Sequence, residues 1–189
     1  MDKFQNKYRI PSARLLNWDY SADGAYFITI CTKCMEHYFG EIENGIMHLN
    51  ELGVLAEKYW AEIPEHFPYV ELGNFVIMPN HMHGILILDN SSGNLTSGSG
   101  ETLRCNVSTH TDNFKNENMA RISPKAGSVS IIIRSYKSVV AKDCRKFHAD
   151  FAWQPRFHDH VIRDARAFET IQNYIANNPA NWDKDKFYG

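Results

Sequence analysis

Two histidines one residue apart, His81 and His83, hold the densest potential for chemistry in this chain. In an extended strand alternate side chains share a face. Both imidazoles would then project one way, and Met82 the other way into apolar packing. Neutral imidazole is the commonest protein metal ligand, so two of them side by side can reach one divalent cation. A second pair with the same spacing, His158 and His160, lies in another strand-like segment. Spacing alone does not choose between them. Tyr174 is the candidate nucleophile. Asn178 lies four residues on, one helical turn away on the same face, and precedes a proline that disfavours helical geometry there. At a helix terminus its amide could turn toward a cation held beside the tyrosine. Asn177 competes for that role.

The elements that must position these groups can be read from periodicity. Tyr26–Cys31 is β-branched and aromatic and predicts a strand. Tyr38–Ile42 is a second candidate, with Gly40 as a bulge residue, and Asn44-Gly45 is a turn signal. Asn50 is a good N-cap, and Leu52, Leu55, Ala56, Tyr59, Trp60 and Ile63 follow at helical spacing up to Pro64. Val70–Met78 and Met82–Leu88 read as strands separated by Pro79-Asn80. Residues 90–127 are polar and rich in Asn, Ser, Gly and Thr, and predict a long loop. From Ser128 a helix carries Val129, Ile132, Ile133, Tyr136, Val139, Val140 and Cys144. Phe151–Ile162 is extended in character, and a last helix spans Asp164–Asn177 before Pro179. Strands alternating with a few helices imply an α+β fold, one antiparallel sheet with helices on a face.

Bulk properties narrow the class. The 189 residues suit one domain, read as an N-terminal arm over 1–24 and a single domain over 25–189. Hydrophobic residues make up 43%, enough for a core. With 20 basic and 22 acidic residues the net charge is −2, which argues against a protein that coats duplex DNA non-specifically and leaves room for a local basic groove. There is no signal-peptide pattern and no apolar run long enough to span a bilayer, so a cytoplasmic setting is expected. Cys31, Cys34, Cys105 and Cys144 are expected to be free thiols; Cys31 and Cys34 have CxxC spacing, but no second CxxC completes a zinc site.

Four segments in order, Tyr26-Phe-Ile-Thr29, Met78-Pro-Asn-His-Met-His-Gly84, Trp153-Gln-Pro-Arg-Phe-His-Asp-His-Val-Ile-Arg163 and Ile171-Gln-Asn-Tyr-Ile-Ala-Asn-Asn-Pro179, resemble the REP-associated tyrosine transposases of the HUH single-tyrosine group. The resemblance implies a ferredoxin-like antiparallel sheet with helices packed on one face. It implies Mg²⁺ or Mn²⁺ bound by His81 and His83, with Asn178 completing the set, and Tyr174 attacking single-stranded DNA beside a hairpin. Monomers and homodimers both occur in that group. The long 90–127 segment and the acidic balance depart from its pattern.

The chemistry this implies is strand transfer. A cation would neutralise the scissile phosphate, and nitrogen ligands suit Mn²⁺ better than Mg²⁺. A tyrosine with a pKa near ~10 is almost wholly protonated at neutral pH, so it needs a cation or a base, and the sequence identifies no base. Attack yields a 5′-phosphotyrosine and a free 3′-OH, which keeps the bond energy available for resealing. Arg156 and Arg163, near the third segment, and Lys137 and Lys142, on the preceding helix, are candidate DNA contacts. A domesticated DNA-binding protein without cleavage is the alternative. A small-molecule metal hydrolase is a third possibility, but it leaves the Tyr174 segment unexplained.

Overall fold

The computed structural model describes residues 3–4, 7–8, 18–90 and 125–188. Most of the expected loop, part of the expected arm and Cys105 lie outside the described residues. Strands β1 (Lys3–Phe4) and β2 (Lys7–Tyr8) pair with each other. The body runs β3 (Gly24–Cys31), a hairpin of β4 (Gly40–Glu43) and β5 (Ile46–Leu49), helix α1 (Glu51–Ala61), a short turn α2 (Ile63–His66), β6 (Val70–Ile77), β7 (His81–Leu88), helix α3 (Val129–Cys144), β8 (His158–Ile162) and helix α4 (Ala165–Asn177).

One antiparallel sheet in the order β6-β7-β3-β8 organises the chain. β3, α1, β6 and β7, α3, β8 are two βαβ-like halves interleaved in one sheet, the ferredoxin-like plan. Tyr26, Ile28 and Ile30 of β3, with Met82, Leu86 and Leu88 of β7, face α1 and α3 and form the larger core with Trp60, Ile132, Ile133, Tyr136 and Val140. The expected α+β sheet with helices on one face is therefore present. In addition, α4 lies across the opposite face, where Ile171, Phe168 and Ile175 pack on Ile85, Ile162, Ala25 and Phe27. Its apolar stripe needs a sheet face of its own because α1 and α3 already fill the other.

Local signals account for the element ends. Asn50 caps α1 by accepting from Leu52 N and Gly53 N at 2.9 and 3.0 Å. Asp164 caps α4 through Ala167 N at 2.8 Å. Asn44 and Gly45 turn the β4–β5 hairpin with φ of 52° and 76°, the left-handed pair of a tight turn. Pro64 sits in the first turn of α2, where a missing N–H costs nothing. Regular pairing is narrower than expected between Phe151 and Ile162, since only His158–Ile162 joins the sheet; Trp153 makes one isolated bridge to Thr32. Cys31, Cys34 and Cys144 are free thiols.

Candidate metal and tyrosine centre

His81 and His83 stand at the start of β7, on the face covered by α4. The Pro79-Asn80 turn that delivers them is tied down from several sides. Thr32 N and Thr32 Oγ1 both donate to Asn80 O, at 2.8 and 2.9 Å, and Phe39 N donates to Pro79 O at 3.1 Å. Asn80 itself is fully buried. Its Nδ2 donates to Phe187 O at 2.9 Å, which turns its Oδ1 toward His81 Nδ1 at 2.8 Å. An amide oxygen only accepts, so Nδ1 of His81 carries the proton and its Nε2 presents a lone pair. His83 Nδ1 lies 2.9 Å from Thr29 Oγ1, its neighbour across the β3–β7 pairing. Such partners on the far ring nitrogen fix the orientation of liganding imidazoles.

The two Nε2 atoms converge to 3.1 Å. Adjacent ligand atoms about 2.1 Å from one octahedral ion lie about 3 Å apart, so the pair is spaced to share a cation. Both imidazoles are held neutral. Burial pushes His81 down to about 4, partly offset by Asp185, and burial together with its neighbour His81 pushes His83 well below the usual histidine value. A neutral ring is the liganding form.

Tyr174 and Asn178 reach the same point from α4. The Tyr174 hydroxyl lies 3.2 Å from His83 Nε2. Its ring meets Phe27 edge-on at 6.1 Å and the residue stays 42% exposed, so the side chain is open to solvent. Asn178 is 2% exposed, and its Oδ1 has no hydrogen-bond partner. A buried carbonyl oxygen without a donor is costly, and a cation would satisfy it. Contrary to the expectation from Pro179, Asn178 keeps helical backbone angles (φ −60°, ψ −44°), because the chain passes straight into a 3-10 turn over Pro179–Lys184. Asn177 does not compete: it is exposed, and its amide donates back to Asn173 O at 2.7 Å.

Asp185 joins the centre without any cue from spacing. Its Oδ2 accepts from Asn178 Nδ2 at 2.8 Å and from the Tyr174 hydroxyl at 3.3 Å, while its Oδ1 accepts from Phe187 N at 2.8 Å. The liganding atoms of His81, His83 and Asp185 lie within 4.8 Å of one another, a grouping that could hold a metal ion. Burial and the Asp185 carboxylate together push Tyr174 up to about 12. Phe187 lies over His81 with ring centres 4.6 Å apart, and Trp182 follows at 6.0 Å. In sequence, Asp185 is one of two carboxylates among aromatic residues after Pro179, and Asp183 is the exposed one.

The remaining candidates sit apart from this centre. Lys137 spends its ammonium on Gln154 O (2.6 Å) and Arg156 O (3.2 Å), and burial lowers its pKa to about 8. Lys142 is exposed on α3, which packs on the other sheet face. Arg156 and Arg163 are exposed and flank β8. His158 and His160 are exposed on β8 and are not in the converging set.

The fold is transposase-like. Its architecture matches a solved REP-associated tyrosine transposase bound to a REP hairpin, with a TM-score of 0.55 and 17% identity over 94% of this chain and 77% of that one. By sequence the chain is 37% identical over 182 residues to an uncharacterized protein of Haemophilus influenzae strain Rd, covering 94% of this chain and 92% of that one, and it belongs to the same family. No family model matches. No helix among the described residues is long and apolar enough to cross a membrane.

Proposed function

We propose that this protein is a metal-dependent tyrosine nuclease and strand transferase acting on single-stranded DNA, with the cut placed beside a hairpin. One observation carries the reading: the hydroxyl of Tyr174 stands 3.2 Å from a histidine nitrogen that itself lies 3.1 Å from its partner's. A chain that only bound DNA would need neither the converging nitrogens nor the tyrosine beside them. The relative solved with a REP hairpin supports the choice of substrate.

His81, His83, Asn178 and Asp185 are the residues that would hold a divalent cation, Mg²⁺ or Mn²⁺. When bound, such an ion supplies Lewis-acid neutralisation of the scissile phosphate. The chain's own groups do the rest. Tyr174 Oη attacks phosphorus, the Oη–P bond forms and the P–O3′ bond breaks. The strand leaves with a free 3′-OH, and the 5′ end stays on the tyrosine. The proton of Tyr174 passes to Asp185 Oδ2, the acceptor already hydrogen-bonded to it, and the departing 3′ oxygen takes a proton from solvent. Phe27 and His83 hold the tyrosine ring in place, so that little orientation is left to find at the moment of attack.

The test is a covalent adduct. Incubating the full chain with Mn²⁺ and a hairpin oligonucleotide bearing single-stranded flanks should give a protein–DNA band stable to denaturing electrophoresis. Tyr174→Phe should remove that band while leaving the protein folded, since the ring keeps its contacts with Phe27 and His83 and only the hydroxyl's own contacts with His83 and Asp185 are lost. Adduct formation in Tyr174→Phe, or in the wild type with all divalent cations chelated, would overturn the assignment.

A further inference from the structure

His158 and His160 repeat, on another strand, the spacing that builds the tyrosine centre, and the strand-cutting chemistry leaves them unused. β8 pairs with β3 from His158 opposite Thr29 to Ile162 opposite Ala25. Side chains alternate along such a strand. Val161 belongs to the core under α1 and α3, whereas Ile162 packs beneath α4. His158 and His160 therefore share the α4 face with Ile162, and Asp159 turns to the other face with Val161.

That face is open where the two histidines stand. Both are exposed, and among the described residues neither imidazole is held in a hydrogen bond or a ring contact. The backbone beneath them is fixed. One side of β8 is paired along its whole length. The approach to it is tied down by Gln154 N donating to Cys31 O at 2.9 Å and by the Lys137 ammonium on the carbonyls of Gln154 and Arg156.

Alternate residues of a strand stand about 6.6 Å apart. His81 and His83 start from the same spacing, and their Nε2 atoms meet at 3.1 Å. Two nitrogens about 2.0–2.1 Å from one tetrahedral ion lie about 3.3 Å apart. Exposed rings turn freely about two side-chain bonds, so His158 and His160 reach that separation without moving the strand.

Ligand chemistry separates the two places. The tyrosine centre adds the Asn178 oxygen and the Asp185 carboxylate to its imidazoles, and such oxygen donors suit Mg²⁺ and Mn²⁺. The β8 pair offers imidazole alone, which suits Zn²⁺, Ni²⁺ and Cu²⁺. Two protein ligands also leave coordination positions open to water or to an oxygen of a second molecule.

We propose that His158 and His160 form a second metal site, an open two-histidine clip for Zn²⁺ or a similar borderline transition-metal ion. His158, Thr29 and His83 lie in one row across the sheet, so the clip stands two strand spacings, about 10 Å, from His83. It stands independently of the strand-cutting function.

The experiment titrates Zn²⁺ into the full chain by calorimetry. The wild type should bind two ions, and His158→Gln/His160→Gln and His81→Gln/His83→Gln one each. Either single change, His158→Gln or His160→Gln, should weaken the β8 site about 100-fold, because the second nitrogen then no longer closes on an ion already held. Excess Mg²⁺ should leave that site unaffected. Cu²⁺ bound to His81→Gln/His83→Gln should show two nitrogen ligands by electron paramagnetic resonance, and fewer once His158→Gln is added. The proposal is overturned if the wild type binds a single Zn²⁺, if His158→Gln/His160→Gln still binds two, or if one imidazole holds the ion as tightly as the pair. Both histidines are at exposed positions, so the comparison of wild type with His158→Gln/His160→Gln decides even where the buried-site variant fails to fold. Two bound ions without any cleavage of DNA would remove the strand-cutting function and leave this site standing.

Discussion

Asn80 acts on the centre without touching a substrate. Its amide bridges the C-terminal segment, through Phe187 O, to the proton-bearing nitrogen of His81. Asn80→Ala would take away the acceptor of that nitrogen and leave His81 Nδ1 and Phe187 O without these hydrogen bonds. We expect a loss of roughly 10- to 100-fold in Mn²⁺ affinity, the usual effect of deleting such a supporting partner, and about 1–3 kcal/mol of stability. A Mn²⁺ titration and a denaturant midpoint read the two separately, and unchanged Mn²⁺ affinity would mean that His81 does not need the clamp. The same burial sets a pH dependence. His81 is pushed down to about 4 and His83 is lowered as well, so the folded metal-free protein binds fewer protons than the unfolded chain. Stability is then complete above the ordinary histidine pKa of about 6.5 and is lost as pH falls from there toward about 4. Chemical denaturation across that window should show a falling midpoint in the wild type and a flatter profile in the double variant His81→Gln/His83→Gln. An equally steep profile in both would place the effect on other groups.

The elements position the centre through close contacts that periodicity only partly foretells. Gly84 follows His83 on β7 and sits beneath Trp60; a Cβ there would lie 2.5 Å from Trp60 Cζ2. Trp60 is itself enclosed by Tyr136 and Phe75 and cannot retreat easily. Gly84→Ala should therefore cost about 1–3 kcal/mol, the range for overpacked cores, seen as a lower thermal midpoint; an unchanged midpoint would show that the indole has room to shift. α1, α3 and α4 were legible because each turns one apolar stripe to the sheet, and β3 and β7 because, covered on both faces, they are short runs of β-branched and apolar residues. Caps at Asn50 and the Asn44-Gly45 turn were legible for equally local reasons. The bulge between Leu72 and Phe75 in the β6–β7 pairing was not. It brings Asn74 to Gln172 O at 3.3 Å and so ties α4 to the sheet, a tertiary demand with no local signature. At the site, His81, His83 and Tyr174 could be named from the sequence only with the family resemblance beside them, and Asn178 likewise. Asp185 could not, because a 3-10 turn of no fixed period carries it back to the centre.

At the scale of the molecule, the two described stretches on either side of residues 91–124 end almost at the same place. Asn90 donates from its amide to Ser21 O and to Asp23 Oδ1, both at 3.0 Å, and from its backbone N to Asp23 Oδ1 at 2.8 Å. Lys125 reaches Asp19 Oδ2 at 2.7 Å, and a Cβ on Gly127 would lie 4.0 Å from Asn90 Oδ1. One turn, Asp19–Asp23, thus anchors both ends, on the far side of the sheet's length from His81: Gly24 pairs with Leu88 and Cys31 with His81. The centre is built wholly from β3, β7, α4 and the residues after α4, all of which keep their contacts if the ends are joined directly. Closing a short loop between neighbouring ends is also entropically cheaper than closing a long one, by about 0.6 kcal/mol for each halving of length. Replacing residues 91–124 with a few glycines and serines should therefore leave the thermal midpoint within a few degrees of the parent and Mn²⁺ affinity unchanged. Retained metal binding with altered affinity for hairpin DNA would assign that segment to substrate recognition. Loss of both folding and metal binding would show instead that the sheet depends on it, against the convergence of its ends on a single turn.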